Sequence, residues 1–147
     1  MTSVRPSAPA LRRGQEPAAV AGRDGVTLID GLAFVISDGS GEMPPGPYGL
    51  VVRDTRHLTR LALTVAGLAP APLVAALPSA TSARFHGYLG LEGLGPDAPL
   101  EVERRRRIAP DGLDEEIVLR LWSVDRVRVE VALETALDAE LTSAVDR

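Results

Sequence analysis

Residues 100–122 read LEVERRRRIAPDGLDEEIVLRLW, and this stretch has the clearest strand pattern in the chain. Two runs with regularly spaced apolar residues, 100–108 and 113–122, flank the turn sequence Ala109, Pro110, Asp111 and Gly112. Proline presets φ and glycine accepts a positive φ, so Pro-Asp-Gly is a strong turn signal. The stretch therefore predicts two long antiparallel strands joined by a tight turn.

Four consecutive arginines, residues 104–107, lie inside the first of these strands. A basic run of this kind suggests a nucleic-acid site. Alternate side chains of a strand point to opposite faces, however, and the acidic run 114–116 lies across the turn. We interpret the arginines as members of cross-strand ion pairs, each worth roughly 0.2–1 kcal/mol. Glu101 and Glu103 share a face with two of them, which favours ion pairing over a catalytic carboxylate pair.

The rest of the chain from residue 26 onward repeats the pattern of strand and turn. Residues 126–135 alternate between apolar and charged, which predicts a third strand that completes a C-terminal meander with one buried and one wet face. The proline-rich segment 43–49 is predicted to be a surface loop. About eight short strands with frequent turns predict an all-β fold, an antiparallel β-sandwich. The predicted strands are residues 26–29, 34–37, 50–53, 58–65, 84–91, 100–108, 113–122 and 126–135, with 73–77 as a further candidate for an edge strand.

The domain organisation follows from length and local composition. Residues 1–22 contain scattered Arg, Pro and Ala without the apolar core of a signal peptide, so they are predicted to be a disordered leader. Residues 23–147 have the length of one domain and are predicted to form the sandwich.

Charge and composition limit the partners. The net charge of −4 gives no attraction to nucleic acid or to anionic lipid, and no apolar run approaches the roughly 20 residues of a membrane span. There is no cysteine, and the only two histidines are His57 and His86, so a structural metal site is not expected. No nucleotide- or phosphate-binding motif is present, so no cofactor is expected. A cysteine-free chain suits a reducing compartment, and we expect a cytoplasmic protein.

The densest polar cluster is formed by Arg53, Asp54, Arg56 and His57, just after the loop that contains Tyr48. Asp and Arg side chains bind sugar hydroxyls through charge-assisted hydrogen bonds, and a Tyr ring can stack on a sugar. In the alternative interpretation, Asp54 caps a turn and pairs with Arg53 or Arg56. The sequence leaves both interpretations open.

Two further classes of function are disfavoured by what the sequence offers. A carbohydrate-binding module acting alone needs exposed rings, whereas most of the aromatic side chains are expected in the core. An independent enzyme needs a convergent set of titratable groups, and neither histidine lies near an obvious nucleophile. The aromatic residues are Phe34, Tyr48, Phe85, Tyr88 and Trp122.

A series of short motifs resembles the N-terminal domain of bacterial and archaeal glycogen debranching enzymes of the amylo-α-1,6-glucosidase type. VTLIDG at 26–31 and FVISD at 34–38 are similar to the opening of that domain, and GPYGL at 46–50 followed by RDTRHL at 53–58 resembles its most specific signature. The arginine-rich strand and the acidic start of the next strand also match. The resemblance extends from residue 25 to about residue 141.

The resemblance implies a non-catalytic β-sandwich that precedes an (α/α)6-barrel glycoside hydrolase domain, packs against it and shapes the access of α-glucan. The catalytic carboxylates of such enzymes belong to the barrel, so no catalytic residue is expected here. Family domains continue with further strands, so three expectations stay open for this domain: an incomplete supersandwich, a truncated piece of a longer sandwich, or a stand-alone variant. An unfinished edge is expected to pair with a second copy. The alternative is a stand-alone interaction or structural module that self-associates and has no carbohydrate role.

Overall fold

The computed structural model describes residues 19–20, 25–92 and 98–137. No helix occurs in this part of the chain, and the predicted all-β class is confirmed. The predicted leader, residues 1–22, lies outside the described residues apart from the two that form β1. The strands are β1 (Ala19–Val20), β2 (Val26–Asp30), β3 (Ala33–Ser37), β4 (Gly49–Val52), β5 (Thr55–Val65), β6 (Ala71–Ser79), β7 (Ser82–Leu89), β8 (Leu100–Ala109), β9 (Gly112–Leu121) and β10 (Val131–Leu137).

The strands form two antiparallel sheets of five strands each. The first sheet has the order β1-β6-β7-β8-β9, and the second has the order β10-β5-β4-β3-β2. Strands β2 and β3 of the second sheet contact β7 and β8 of the first. The two sheets therefore face each other across a shared core, as in a β-sandwich.

Strand alternation sends every second side chain into this core. Val35 of β3, Phe85 of β7, and Leu100, Val102 and Ile108 of β8 are all buried. Burying an aliphatic or aromatic side chain of this size contributes about 1.5–3 kcal/mol. Only one aromatic ring is fully buried among the described residues, so the core is built almost entirely from aliphatic side chains.

The predicted C-terminal meander is correct for its first two strands and wrong for the third. The β8–β9 hairpin forms around Pro110 and Asp111, and Ala109 pairs with Gly112. The third strand begins at Val131 and pairs with β5 of the second sheet instead of with β9. Alternation identifies a strand but not its neighbour, and here the chain crosses to the other sheet before the strand begins. The meander is formed instead by β6, β7, β8 and β9.

The prediction of one buried face on the third strand is also wrong. The side chains of β10 that point toward the other sheet include Val131 and Leu133, which pair with buried Val65 and Leu63 of β5. They are nonetheless 42% and 44% exposed. Within the described residues, the first sheet does not extend over β10, so this face remains open to solvent.

The proline-rich segment is a surface loop, as predicted, except at Met43. Residues 44–47 are exposed, as predicted. Met43 is fully buried, and its backbone exchanges hydrogen bonds with Leu61 of β5 at 2.8 and 3.2 Å. It precedes the first proline and so keeps the backbone donor that pairing requires. Strand β6 is also longer than the predicted edge strand, and β1 lies outside it in the sheet.

No helix in the described part of the chain has the length and apolar character needed to cross a bilayer.

Candidate functional site

The turn between β4 and β5 consists of Arg53 and Asp54, which lie between the paired residues Val52 and Thr55. Both turn residues have positive φ, 50° and 62°. Hairpin turns of this geometry usually select Asn-Gly, because other side chains are strained in the left-handed region. The Arg53 amide donates to the Leu32 carbonyl at 3.0 Å, which holds this turn beside the β2–β3 turn. The side chains of Arg53 and Asp54 are exposed at the tip of the sheet.

Arg56 holds the proline-rich loop. Its Nη2 donates to the carbonyl of Gly46 at 2.9 Å and also to the carbonyl of Tyr48. Tyr48 is half-buried and packs against the core. The geometry gives these two residues a structural role in joining the loop to β5. Among the described residues, Asp54 forms no ion pair with Arg53 or Arg56. The predicted pairing of Asp54 with one of these arginines is therefore not observed.

His57 is the extra residue of a bulge in β5. Leu50 pairs with Leu58, and the adjacent Val51 pairs with Arg56, so no residue of β4 stands opposite His57. His57 lines an apolar cavity of about 430 Å³ that opens between the two sheets. The other side chains of this inter-sheet groove include Leu58, Leu61, Leu113, Leu133 and Leu137.

The five predicted site residues therefore lie in three places. Arg53 and Asp54 form an exposed tip, Arg56 and Tyr48 clamp a loop, and His57 faces the inter-sheet groove. The structure brings Arg56 and Tyr48 into contact and does not gather all five around one cavity. Their function as ligand or interface residues stays a prediction.

A cluster of ion-paired side chains lies between the two sheets. Arg104 and Arg106 of β8 point inward, and both donate to the carboxylate of Glu115 on β9 with Nε–O distances of 2.6 Å. Arg104 also donates through Nη1 to Glu42. The Arg106 guanidinium lies 4.9 Å from the centre of the Phe85 ring. Two of the four consecutive arginines are thus buried ion-pair partners, and the predicted cross-strand pairing is confirmed.

Glu42 is the member of this network that the sequence did not reveal. Its carboxylate also accepts from the Leu63 amide at 3.1 and 3.2 Å, and so links the β3–β4 connection to both sheets. Burial raises the pKa of Glu42, against the opposing effect of Arg104. Glu42 lies 62 residues before Arg104, so no local pattern could identify the pair.

A second ion-pair network covers the outer face of the first sheet. The carboxylate of Glu103 accepts from Arg105 Nε at 2.9 Å and from Arg120 Nη1 at 2.8 Å. Arg105 also reaches Glu116 at 3.4 Å. The hydrogen bond from Arg105 is the main cause that lowers the pKa of Glu103 to about 2. The predicted pairing of Glu103 with Arg105 is confirmed.

The aromatic side chains are less buried than the sequence analysis expected. Phe85 is buried, and Phe34 and Tyr48 are half-buried. Tyr88 and Trp122 are 42% and 68% exposed. The scarcity of exposed rings therefore does not exclude a sugar-binding surface.

The structure supplies few candidates for catalysis or metal binding. In residues 25–92 and 98–137, no three His, Cys, Asp or Glu side chains lie close enough together to hold a metal ion. His86 stands opposite Glu103 in the pairing of β7 with β8, and that carboxylate is bound to two arginines. These features define an all-β sandwich domain whose buried carboxylates serve as partners of arginine.

Comparison with known proteins places this domain in a family. A family model described as the N-terminal domain of (some) glycogen debranching enzymes matches residues 28–143. Because this match spans most of the chain, the chain belongs to that family, which agrees with the motifs at residues 26–31 and 53–58. Neither the curated proteins nor the solved structures provide a match.

Proposed function

We propose that the chain is a non-catalytic accessory domain of an amylo-α-1,6-glucosidase-like glycoside hydrolase, packing against an (α/α)6 catalytic barrel and shaping the access of α-glucan. Family membership supports the assignment to debranching enzymes. The carboxylates of the two ion-pair networks support the non-catalytic role, since Glu42, Glu103 and Glu115 are each bound to arginine. A glycosidase needs carboxyl groups free to face a substrate. We expect the domain to act in the cytoplasm.

The tip formed by the two turns of the second sheet is the surface we assign to the barrel. Leu32 in the β2–β3 turn is 72% exposed, and Ile29 beside it is 54% exposed. The charged side chains of Arg53 and Asp54 adjoin them through the Arg53–Leu32 hydrogen bond. An apolar centre with a charged rim is the usual anatomy of a protein interface. The strained backbone of the Arg53–Asp54 turn supports a functional role, because such strain concentrates at functional positions.

The test measures binding of the full chain to the debranching catalytic domain encoded in the same genome. We expect Leu32→Ala and Asp54→Ala each to weaken the complex by about tenfold, the effect of losing about 1.4 kcal/mol. Arg60→Ala is the matched control, because Arg60 is an exposed arginine of the same sheet away from the tip. Unchanged binding in both tip variants would contradict the assignment. Glycosidase activity of the chain alone would contradict the non-catalytic role.

The second candidate is a self-associating module without a carbohydrate role, and the outermost position of β10 favours it. β10 is the last strand of the second sheet among the described residues. Its inward-facing Leu133 and Leu137 are 44% and 53% exposed. An uncovered edge with exposed apolar side chains can pair with the same edge of a second copy. Sedimentation should then show a dimer that Leu133→Glu dissociates, and a clean monomer at high concentration contradicts this candidate.

A further inference from the structure

Two exposed aromatic rings lie near one end of the first sheet, Tyr88 on the outer face of β7 and Trp122 directly after β9. Tyr88 of β7 pairs with Glu101 of β8, which in turn pairs with Arg120 of β9. Trp122 comes directly after the last residue of β9, two positions after Arg120, and is 68% exposed. Neighbouring strands lie about 4.8 Å apart, so the backbones of Tyr88 and Arg120 are separated by about 10 Å. Leu121, the last residue of β9, pairs with Leu100, which pairs with Leu89, so Trp122 lies at the same end of the sheet as Tyr88.

The surface beside the rings is polar and held in place. Arg120 and Arg105 are fixed by the Glu103 carboxylate, with donor–acceptor distances of 2.8 and 2.9 Å. His86 lies between Tyr88 and Arg84 along β7, so hydrogen-bonding groups follow the whole strand. Guanidinium groups oriented in this way donate to hydroxyl oxygens without first losing side-chain freedom.

The charges of this face are balanced. Four arginines and four carboxylates point outward from β7, β8 and β9, so their formal charges cancel. A polyanion or a polycation gains no net attraction from such a surface, whereas a neutral ligand rich in hydroxyl groups finds both donors and acceptors. The eight residues are Arg84, Arg105, Arg107, Arg120, Glu101, Glu103, Asp114 and Glu116.

The polar surface continues to the opposite end of the sheet. There a cavity of about 640 Å³ is lined by the hydroxyls of Ser79, Thr81 and Ser82 together with Arg84 and Arg107. Among the described residues, neither of these two arginines forms an ion pair. Their guanidinium groups are exposed and available to a ligand that extends along β7 from the rings.

We propose that the outer face of the first sheet binds a chain of α-glucan, with Tyr88 and Trp122 as stacking rings and Arg120, His86 and Arg84 as hydrogen-bonding groups. The choice of α-glucan rests on the proposed function, whereas the location of the surface rests on the rings and the balanced charges. A protein partner fits this face less well, because charged residues are depleted from the centre of protein interfaces and an ion-pair network occupies the centre here. The face belongs to the first sheet, whereas the Leu32 tip belongs to the second.

The experiment measures binding of the full chain to maltoheptaose and to soluble glycogen. Trp122 is the single tryptophan, so its fluorescence reports directly on the proposed surface. We expect maltoheptaose to change this fluorescence, and cellohexaose or heparin to have at least tenfold weaker effects. Tyr88→Ala should weaken binding about tenfold, while Tyr88→Phe, which keeps the ring, should bind like the wild type. For Trp122→Ala, retardation in glycogen-containing gels replaces fluorescence, with the same expected loss.

The outcomes separate this proposal from the proposed function. Leu32→Ala is the matched control, since it removes an exposed apolar side chain from the other sheet and should leave glycogen binding unchanged. The glucan surface is overturned if the chain binds neither maltoheptaose nor glycogen, or if Tyr88→Ala and Trp122→Ala bind them normally. If the wild type binds no glucan, and Tyr88→Ala and Trp122→Ala lose binding to the catalytic domain, the face is a protein interface instead. Absence of glucan binding alone leaves the tip assignment standing, because Leu32→Ala tests catalytic-domain binding separately.

Discussion

Arg104 donates from its Nε to the carboxylate of Glu115 at 2.6 Å, and the two side chains are only 4% and 8% exposed between the sheets. The Glu115 carboxylate also accepts a hydrogen bond from Nε of Arg106, whose side chain is fully buried. Glu115 therefore pairs with both buried guanidinium groups, and Glu42 supplies a second carboxylate to Arg104 alone. Removing one partner of a buried ion pair leaves an uncompensated charge, which costs more than the loss of an exposed pair.

Glu115→Gln should therefore lower the free energy of unfolding by about 3 kcal/mol. Urea denaturation measures the change. Glu116→Gln is the matched control, because Glu116 is the next residue on β9, faces solvent and is 64% exposed. Its substitution should change stability by less than about 0.5 kcal/mol. Equal effects of the two substitutions would show that Glu115 does not hold the buried network together.

Stability should fall in acid because of Glu103. Its pKa in the folded chain is about 2, compared with 4.5 for the unperturbed group. A lowered folded pKa gives stability that is complete above pH 4.5 and is lost as the pH falls toward about 2. The arginine partners are 39% and 41% exposed, so solvent screening limits the contribution to about 1–2 kcal/mol.

Urea denaturation of Glu103→Gln between pH 5 and 2 checks this prediction. The variant should be less stable than the wild type above pH 4.5, and the difference should shrink toward pH 2. Glu116→Gln again serves as the control. A constant difference between Glu103→Gln and wild type across this range would rule out Glu103 as the titrating group.

Glu42 should contribute the opposite dependence on pH. Burial raises its pKa above 4.5 in the folded chain, so the folded state holds the proton more tightly than the unfolded state. The contribution of Glu42 to stability is therefore greatest below pH 4.5 and falls as the pH rises through the folded pKa. Glu42→Gln should remove this fall. The free energy of unfolding of the variant should therefore increase relative to that of the wild type as the pH rises from 4.5 to 7. If Glu42→Gln instead becomes less stable relative to wild type over the same pH range, the predicted direction of the Glu42 contribution is wrong.

The β8–β9 hairpin and its ion pairs could be predicted because their determinants are local. The turn sequence, the arginines and the facing acids all lie within residues 100–122. The partner of β10 could not be predicted in this way, since Val131 pairs with Val65 through backbone groups that every residue carries. Glu42 was missed for a related reason, because it reaches Arg104 from a loop far away in sequence.

The candidate site shows how contiguous residues can be separated by the fold. Arg53 and Asp54 form a turn, Arg56 turns toward the loop, and the bulge directs His57 to the inter-sheet groove. The exposure of Tyr88, by contrast, was detectable in the sequence. Tyr88 has the same strand parity as Arg84 and His86, which predicts that the ring shares their solvent-facing side.

The strained turn at the tip of the second sheet should lower the stability of the domain and strengthen its binding to the catalytic domain. Arg53 and Asp54 both occupy the left-handed region, where Asn and Gly are favoured. The double substitution Arg53→Asn, Asp54→Gly should therefore raise the free energy of unfolding by about 1 kcal/mol. It should also weaken binding to the debranching catalytic domain, because both charged side chains are lost. Urea denaturation and a binding titration on the same preparation measure the two effects.

The matched control for the strained turn is Asp111→Gly in the β8–β9 turn. The backbone of Asp111 does not have a positive φ. Glycine therefore relieves no strain there and should not stabilise the chain. A stabilised Asn-Gly variant that binds the catalytic domain as tightly as wild type would show that the strain serves no interface. A destabilised variant would show that the Arg53 and Asp54 side chains support the fold, and the tip would lose its assignment as the docking surface.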